Sequence, residues 1–214
     1  MVRRTKDDAE KTRDAILDAA EKVFYKHGVT RTSLQEIALA AEVTRGAVYW
    51  HFKDKIELCE AMLNRVLLPY EDILIRLEES DSATPLDDLK QANCESLKLM
   101  AKDKRRQRIM TILTFRCEYV EEMVAMMERR RQCKNNMRQA YLRSFERAHK
   151  MKMLSPDWSP AVAATSLAAL MGGLIMGWLE GRKDFDLLTS GVACIDAFFT
   201  SVALSPKDMV KKTA

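Results

Sequence analysis

Residues Thr30–Lys55, TRTSLQEIALAAEVTRGAVYWHFKDK, decide the fold. They read as two short helices joined by a tight turn, with a further helix starting where the stretch ends. Thr32, with Gln35 three residues on, fits a capping box that opens the first of these helices. Thr44 is an N-cap for the next, which runs to about Phe52. Asp54 with Glu57 caps the one after. Leu34, Ile37, Ala38 and Ala41 form one apolar side. Two helices that cross at a tight turn need a small residue where they touch, and Ala38 is placed there. They also need apolar residues to lock their angle, which Ile37, Ala41, Val43 and Val48 supply. Once these are buried, the outer face of the second helix is Arg45, Gly46, Tyr49 and Trp50, with Thr44 at its start. A helix of that size fits the major groove of DNA, about 12 Å wide.

Each exposed position has a chemical reason to meet a duplex. Thr44 caps its helix and reaches a phosphate. Arg45 either reads a guanine edge in bidentate fashion or neutralises a phosphate. Gly46 removes a side chain so that the backbone can approach closely. Ala47 touches a thymine methyl or packs inside. Tyr49 and His51 carry donors suited to phosphate oxygens, and Trp50 lies on the same outer face. Lys55 adds a phosphate contact from the following helix. Thr32 and Ser33 offer a hydroxyl and backbone amides at a helix start. Phe52 is expected in the core. Glu42 occupies the turn, and if that position needs a positive φ, a non-glycine residue there costs about 1 kcal/mol.

Working outward, Asp8 to His27 is amphipathic, with Ile16, Ala19, Ala20, Val23 and Phe24 on one face and Gly28 as a left-handed C-cap. The helix capped by Asp54 continues through Val66 and past Pro69 to Ile73 and Leu77. ESDSATP (79–85) is a loop. Helices follow at Leu86–Ala101, Lys104–Phe115, Glu118–Lys150, Ser159–Gly181 and Asp184–Leu204. The basic runs Lys102–Arg108 and Arg129–Lys134 read as solvated helix faces. The expectation is an all-α chain of about nine helices, with a three-helix helix-turn-helix domain at 1–55 and a second helical domain at 56–214.

Composition limits the alternatives. Seven Gly and five Pro in 214 residues favour helices. A net charge of +4 is too small to carry a DNA argument, so the motif must. Five widely spaced cysteines without a CxxC pair point to a reducing compartment and away from disulfides or zinc. The charged start MVRRTKDDAEKTRD has no apolar run behind it, and a cytoplasmic location is expected. The three histidines lie at no triad or metal spacing and no glycine-rich phosphate loop is present, so no enzyme, no cofactor and no metal is expected.

The second domain carries polar and flexible residues along apolar faces. Leu89, Asn93, Ser96 and Met100 share one face, as do Met110, Leu113 and Thr114. Met137 and Tyr141 are four apart, and Ala168, Met171 and Ile175 line a third helix. With Val66 they are candidates for the wall of a wide, adaptable pocket for a hydrophobic small molecule. The chain's 13 methionines suit such a site. The same positions also fit a plain core. The run AVAATSLAALMGGLIMGWLEG (161–181) is uncharged until its end and long enough to be taken for a membrane span. Its alanines and the lack of a second span favour burial on two sides, against the core and against a second copy of the chain. This helix and the last one, around Ile195, Phe198 and Phe199, are expected to form a four-helix dimer interface.

The run VTRGAVYWHFKDKIEL (43–58) resembles the signature of the TetR family of repressors, in its AcrR-like branch. The similarity begins at RRTKDDAEKTRDAILDAAEKVFYKHGVTRTSLQEIA and continues more loosely through RRQRIMTIL, RCEYVEEM and FDLL. The resemblance implies a homodimer that binds double-stranded operator DNA, responds to hydrophobic effectors and controls a multidrug efflux operon. It also implies DNA contacts at Ser33, Thr44, Arg45, Gly46, Ala47, Tyr49, Trp50, His51 and Lys55. Close relatives often carry Gly where this chain has Glu42. A second reading is a thiol-sensing regulator, in which Arg116 activates Cys117.

Overall fold

A computed structural model describes residues 6–66, 82–117, 124–181 and 183–204. Among the described residues it holds nine helices and no strand, only an isolated bridge between Leu154 and Ala203. They are α1 (Lys6–His27), α2 (Leu34–Ala40), α3 (Arg45–His51), α4 (helical over 55–66), α5 (Pro85–Lys102), α6 (Lys104–Phe115), α7 (Val124–Lys150), α8 (Pro160–Glu180) and α9 (Leu187–Val202). The expected continuation of α4 to Ile73 and Leu77 lies outside the described residues.

The chain divides into two compact units, Met1–Leu68 with Arg105–Arg129, and Pro69–Lys104 with Arg130–Ala214. In the first unit α1, α2 and α3 pack together, and their core is continuous with α4 and α6. Ile16, Leu17, Ala20 and Phe24 of α1 meet Ile37 and Ala38 of α2, Val48 of α3, Leu58 and Met62 of α4, and Ile109 and Ile112 of α6. Phe52 is buried in this core, as expected. Gly28 ends α1 at φ +83°.

In the second unit α9 packs on α5 and α8. Ser159 caps α8 by accepting from the Val162 amide, with Pro160 in the first turn. Asp186 caps α9, which begins at Leu187. Ile195 and Phe199 are buried inside this unit, and Phe198 lies edge-on to Phe145 and Trp158. Ile195 and Phe199, about which an interface was expected, are therefore internal core, while Phe198 is half-buried. The exposed stripe of α9 is instead mostly small, Ala193, Cys194, Ala197, Thr200 and Ser201, with the exposed Asp196 among them. On α8 the exposed residues are also mostly small, including Thr165, Ala169, Gly172, Gly173 and Gly177. Among the described helices α8 alone is long and apolar enough to cross a membrane, and a third of its apolar window is buried inside the chain.

Candidate nucleic-acid interface

The turn between α2 and α3 is built by backbone hydrogen bonds. The amide of Val43 donates to Ala38 O at 3.0 Å and that of Glu42 to Leu39 O at 3.1 Å. This pair of bonds is a Schellman motif, which requires a left-handed residue after the C-cap. Glu42 is that residue, with φ +56°. Leu34, Ala41 and Val43 close against the core beside buried Ile37, Ala38 and Val48. The locking residues read from the sequence are thus the ones that fix the angle between α2 and α3.

Ser33, not Thr32, caps α2. Its hydroxyl accepts from the Glu36 amide at 3.2 Å, while Ser33 N donates to the Glu36 carboxylate at 2.7 Å. The backbone bond and then the hydroxyl bond from Ser33 lower the Glu36 pKa. Thr32 is 2% exposed and donates its hydroxyl to Gly28 O at 2.7 Å, so it does not offer that hydroxyl to a duplex. The expected Thr32–Gln35 box fails because Thr32 is drawn into the core. The Ser33 amide is likewise already committed to Glu36.

Thr44 caps α3 by accepting from Ala47 N at 3.1 Å. Beyond it Arg45, Gly46, Tyr49 and Trp50 are exposed, Ala47 and His51 half-buried, and only Val48 of α3 is buried. Trp50 is 73% exposed, which no core role explains. Its ring meets His51 edge-on at 4.4 Å. Arg45 donates to the Tyr49 hydroxyl at 3.3 Å, and its guanidinium lies 5.3 Å from the Tyr49 ring centre. An added Cβ on Gly46 would meet nothing closer than Thr44 Oγ1 at 3.9 Å.

Beside α3 is a cavity of about 470 Å³, lined among others by Arg31, Ser33, Tyr49, Lys53 and Lys55. Lys55 Nζ donates to Val29 O at 3.1 Å and Thr30 O at 3.0 Å, so two of its three donors pin the α1–α2 connection. Asp54 caps α4, its carboxylate accepting from the amides of Ile56 and Glu57 at 2.9 Å each. The surface so assembled offers cations, hydroxyls, two aromatic rings and a bare backbone on one short helix.

Sequence reasoning missed the charge cluster that fastens α1 to α4 and α6. Arg65 pairs with Asp14 at 2.5 Å, Asp18 at 2.7 Å and Glu21 at 3.0 Å. Arg105 pairs with Asp18 at 2.8 Å and Arg108 with Glu21 at 3.3 Å. Glu21 is 1% exposed. Burial lowers the Arg65 pKa, but its hydrogen bonds to Asp14 and Asp18 outweigh that and hold it above the usual value. Arg106 donates to Val66 O at 2.6 Å. The run Lys102–Arg108 is therefore not simply a solvated face. The signal was present as Asp14, Asp18 and Glu21, spaced to share one face of α1.

The candidate pocket residues divide between the units. Val66 and Leu113 are buried in the first unit's core, where Met110 and Thr114 are half-buried. In the second unit Leu89, Asn93, Met100, Tyr141 and Met171 are buried, and Ser96, Met137, Ala168 and Ile175 half-buried. The structure joins three of these: Tyr141 donates to Asn93 Oδ1 at 2.5 Å, and Asn93 Nδ2 donates to Leu89 O at 2.7 Å. Cys117 is buried in the first unit's core near Cys59, and the thiol-sensor reading finds no support.

Residues 16–62 match the family described as bacterial regulatory proteins, tetR family, and residues 84–203 match the C-terminal region of MAATS-type transcriptional repressors. The chain belongs to the TetR family. Its role is thus transcriptional repression and not catalysis. It is 38% identical to the HTH-type transcriptional repressor BepR of Brucella suis over 94% of this chain and 96% of that one. The crystal structure of NalD, the secondary repressor of the MexAB-OprM multidrug efflux pump in Pseudomonas aeruginosa, superposes with a TM-score of 0.84. The two chains are 39% identical, over 92% of this chain and 98% of that one. The SmeT–triclosan complex, of the repressor of a Stenotrophomonas maltophilia efflux pump, gives 0.82 at 32% identity, covering 92% and 93%. TetR-family repressors bind operator DNA and small-molecule effectors, and the superposition on NalD agrees with the all-helical expectation.

Proposed function

We propose that the chain is a cytoplasmic, ligand-released repressor of a multidrug efflux operon, binding a palindromic operator as a homodimer. The observation that carries this is the exposed outer face of α3, with Arg45, Gly46, Tyr49 and Trp50 set out on a helix-turn-helix whose angle is locked. Ser33, Thr44, Ala47, His51 and Lys55 complete the DNA surface, within a DNA-reading segment at 1–55. Residues 56–214 serve sensing and dimerisation. The pump repressors NalD and SmeT, alike over nearly the whole chain, support the operon.

Dimerisation runs through α8 and α9. Among the described residues, a Cβ built on Gly172, Gly173 or Gly177 meets nothing within 4 Å, so these positions leave room for a partner helix to approach closely. A two-fold dimer then spaces its recognition helices about 34–36 Å apart, or somewhat more. The effector is a hydrophobic small molecule, and Leu89, Asn93, Ser96, Met100, Met137, Tyr141, Ala168, Met171 and Ile175 of the second unit are its candidate contacts. The Asn93–Tyr141 pair is its polar anchor. Release is a population shift, limited by the effector's differential affinity for the DNA-competent and incompetent states.

The test is binding of the full chain to duplex DNA from upstream of its own gene and of adjacent pump genes, with triclosan and other hydrophobic antimicrobials added in turn. Specific binding lost on adding one compound is the expected result. Specific binding that no compound disturbs would remove the effector half of the reading. Absence of specific binding to any of these duplexes would remove the operon assignment.

A further inference from the structure

We propose that Tyr49 is a positioning residue for Arg45, and that the pair reads one guanine in each half of the operator. The inference rests on the helix-turn-helix reading and goes further, to the base that is read. Arg45 and Tyr49 are four residues apart on α3, and both are exposed. The guanidinium is held twice, by its hydrogen bond to the Tyr49 hydroxyl at 3.3 Å and by its place over the Tyr49 ring at 5.3 Å. A long side chain that would otherwise sample many rotamers is thereby given one plane before DNA arrives. Less conformational entropy is then lost on contact.

That pre-ordering is of little use against a phosphate, which accepts a cation over a wide range of angles. It is of most use against a base edge, which accepts a planar fork in one orientation only. In the major groove guanine presents two neighbouring acceptors, N7 and O6, while adenine pairs an acceptor with a donor. A guanidinium has donors and no acceptor, so guanine is the base it selects. One N–H is committed to Tyr49, which leaves enough for the two bonds of the fork. Gly46 supports the same reading. Among the described residues nothing requires a glycine there, since a Cβ would find only Thr44 Oγ1 at 3.9 Å. The bare backbone next to Arg45 lets α3 sit deep enough for the guanidinium to reach a base.

The experiment uses the full chain. Its preferred duplex is selected from a random library, and each guanine in turn is replaced by 7-deazaguanine, which lacks the N7 acceptor. One symmetry-related guanine per half-site should weaken binding by about 10-fold or more. The same replacement should have no effect on Arg45→Ala. Tyr49→Phe keeps the ring and loses the hydroxyl, and should lower the guanine preference by about 3-fold without changing the salt dependence. Tyr49→Leu removes both contacts and should lower it further. If no guanine is sensitive, and Arg45→Ala weakens all sequences alike while reducing the salt slope, Arg45 is a phosphate contact. The proposal then fails while DNA binding stands. Full guanine preference in Tyr49→Leu would overturn the positioning role. If the wild-type chain selects no sequence, the DNA-binding reading itself fails. The 7-deazaguanine result needs no variant, so a misfolded substitution cannot protect the proposal.

Discussion

Gly46→Ala should stabilise the protein and impair it at once. Gly46 is the second residue of α3, and its φ lies outside the left-handed region. The added methyl would lie 3.9 Å from Thr44 Oγ1, an ordinary contact, so the fold itself has room for it. Replacing a helical glycine by alanine gains about 0.5–1 kcal/mol, and the lower figure suits a site in the first turn. For a chain of this size that raises Tm by roughly 1–2 °C. If Gly46 meets DNA, the methyl overpacks that contact at about 1 kcal/mol per head, or about 30-fold in Kd for a symmetrical dimer. Thermal denaturation and fluorescence anisotropy with operator DNA measure the two effects. A raised Tm with unchanged DNA affinity would refute the placement of Gly46 at the duplex. A lowered Tm would show that the fold, and not the DNA, requires the glycine.

Three further outcomes follow from the first unit. Glu21→Gln removes the carboxylate that Arg65, Arg105 and Arg108 share. Because Asp14 and Asp18 remain and the arginines are partly exposed, the loss should be about 2 kcal/mol, below the cost of breaking a fully buried pair. Urea unfolding measures it, and no loss would mean that the cluster is solvated in effect. Glu42→Gly relieves a left-handed residue and should gain about 0.5 kcal/mol after the entropy of the added glycine, while tightening DNA binding at low salt. Weaker binding would show that the Glu42 carboxylate helps to position α3. Burial, with the Cys117 thiol nearby, pushes the Cys59 thiol up from 9.0 to about 12. Above pH 9 the unfolded chain loses this proton and the folded one keeps it, so stability falls by up to about 1.4 kcal/mol per pH unit. Cys59→Ser should therefore close on the wild type as pH rises from 8 to 10.5, and parallel urea midpoints would sink this account.

What was legible in the sequence was local. Thr44 and Asp54 cap the helices they were expected to cap, because a cap needs only its own first turn. The outer face of α3 follows from helical spacing once Val48 is taken as buried. The α2 cap was misread for a reason specific to TRTSLQE (30–36). Thr32–Gln35 and Ser33–Glu36 both satisfy the capping spacing, and only tertiary burial of Thr32 chooses between them. Ile195 and Phe199 fit an interface by pattern but lie in the core, because a helical pattern shows which face is apolar and not what covers it. The acidic face of α1 that holds the cluster on Arg65 was legible, but its basic partners were not, for the same kind of reason. The cluster's members come from three stretches far apart in sequence, and only packing makes Asp14, Asp18 and Glu21 neighbours of residues 65, 105 and 108.

That cluster bears on how such a regulator can be recombined. Chimeric repressors are made by grafting a DNA-reading segment onto a foreign sensor, and residue 55 looks like a natural scissor point. A graft cut there carries Glu21 away from Arg65, Arg105 and Arg108, and strips Ile16 and Phe24 of the α4 and α6 side chains they pack among. The donor would bring the reading helix without the partners that neutralise its own first helix. A working hybrid needs a recipient that supplies arginines at those three places, or a donor piece that carries them along.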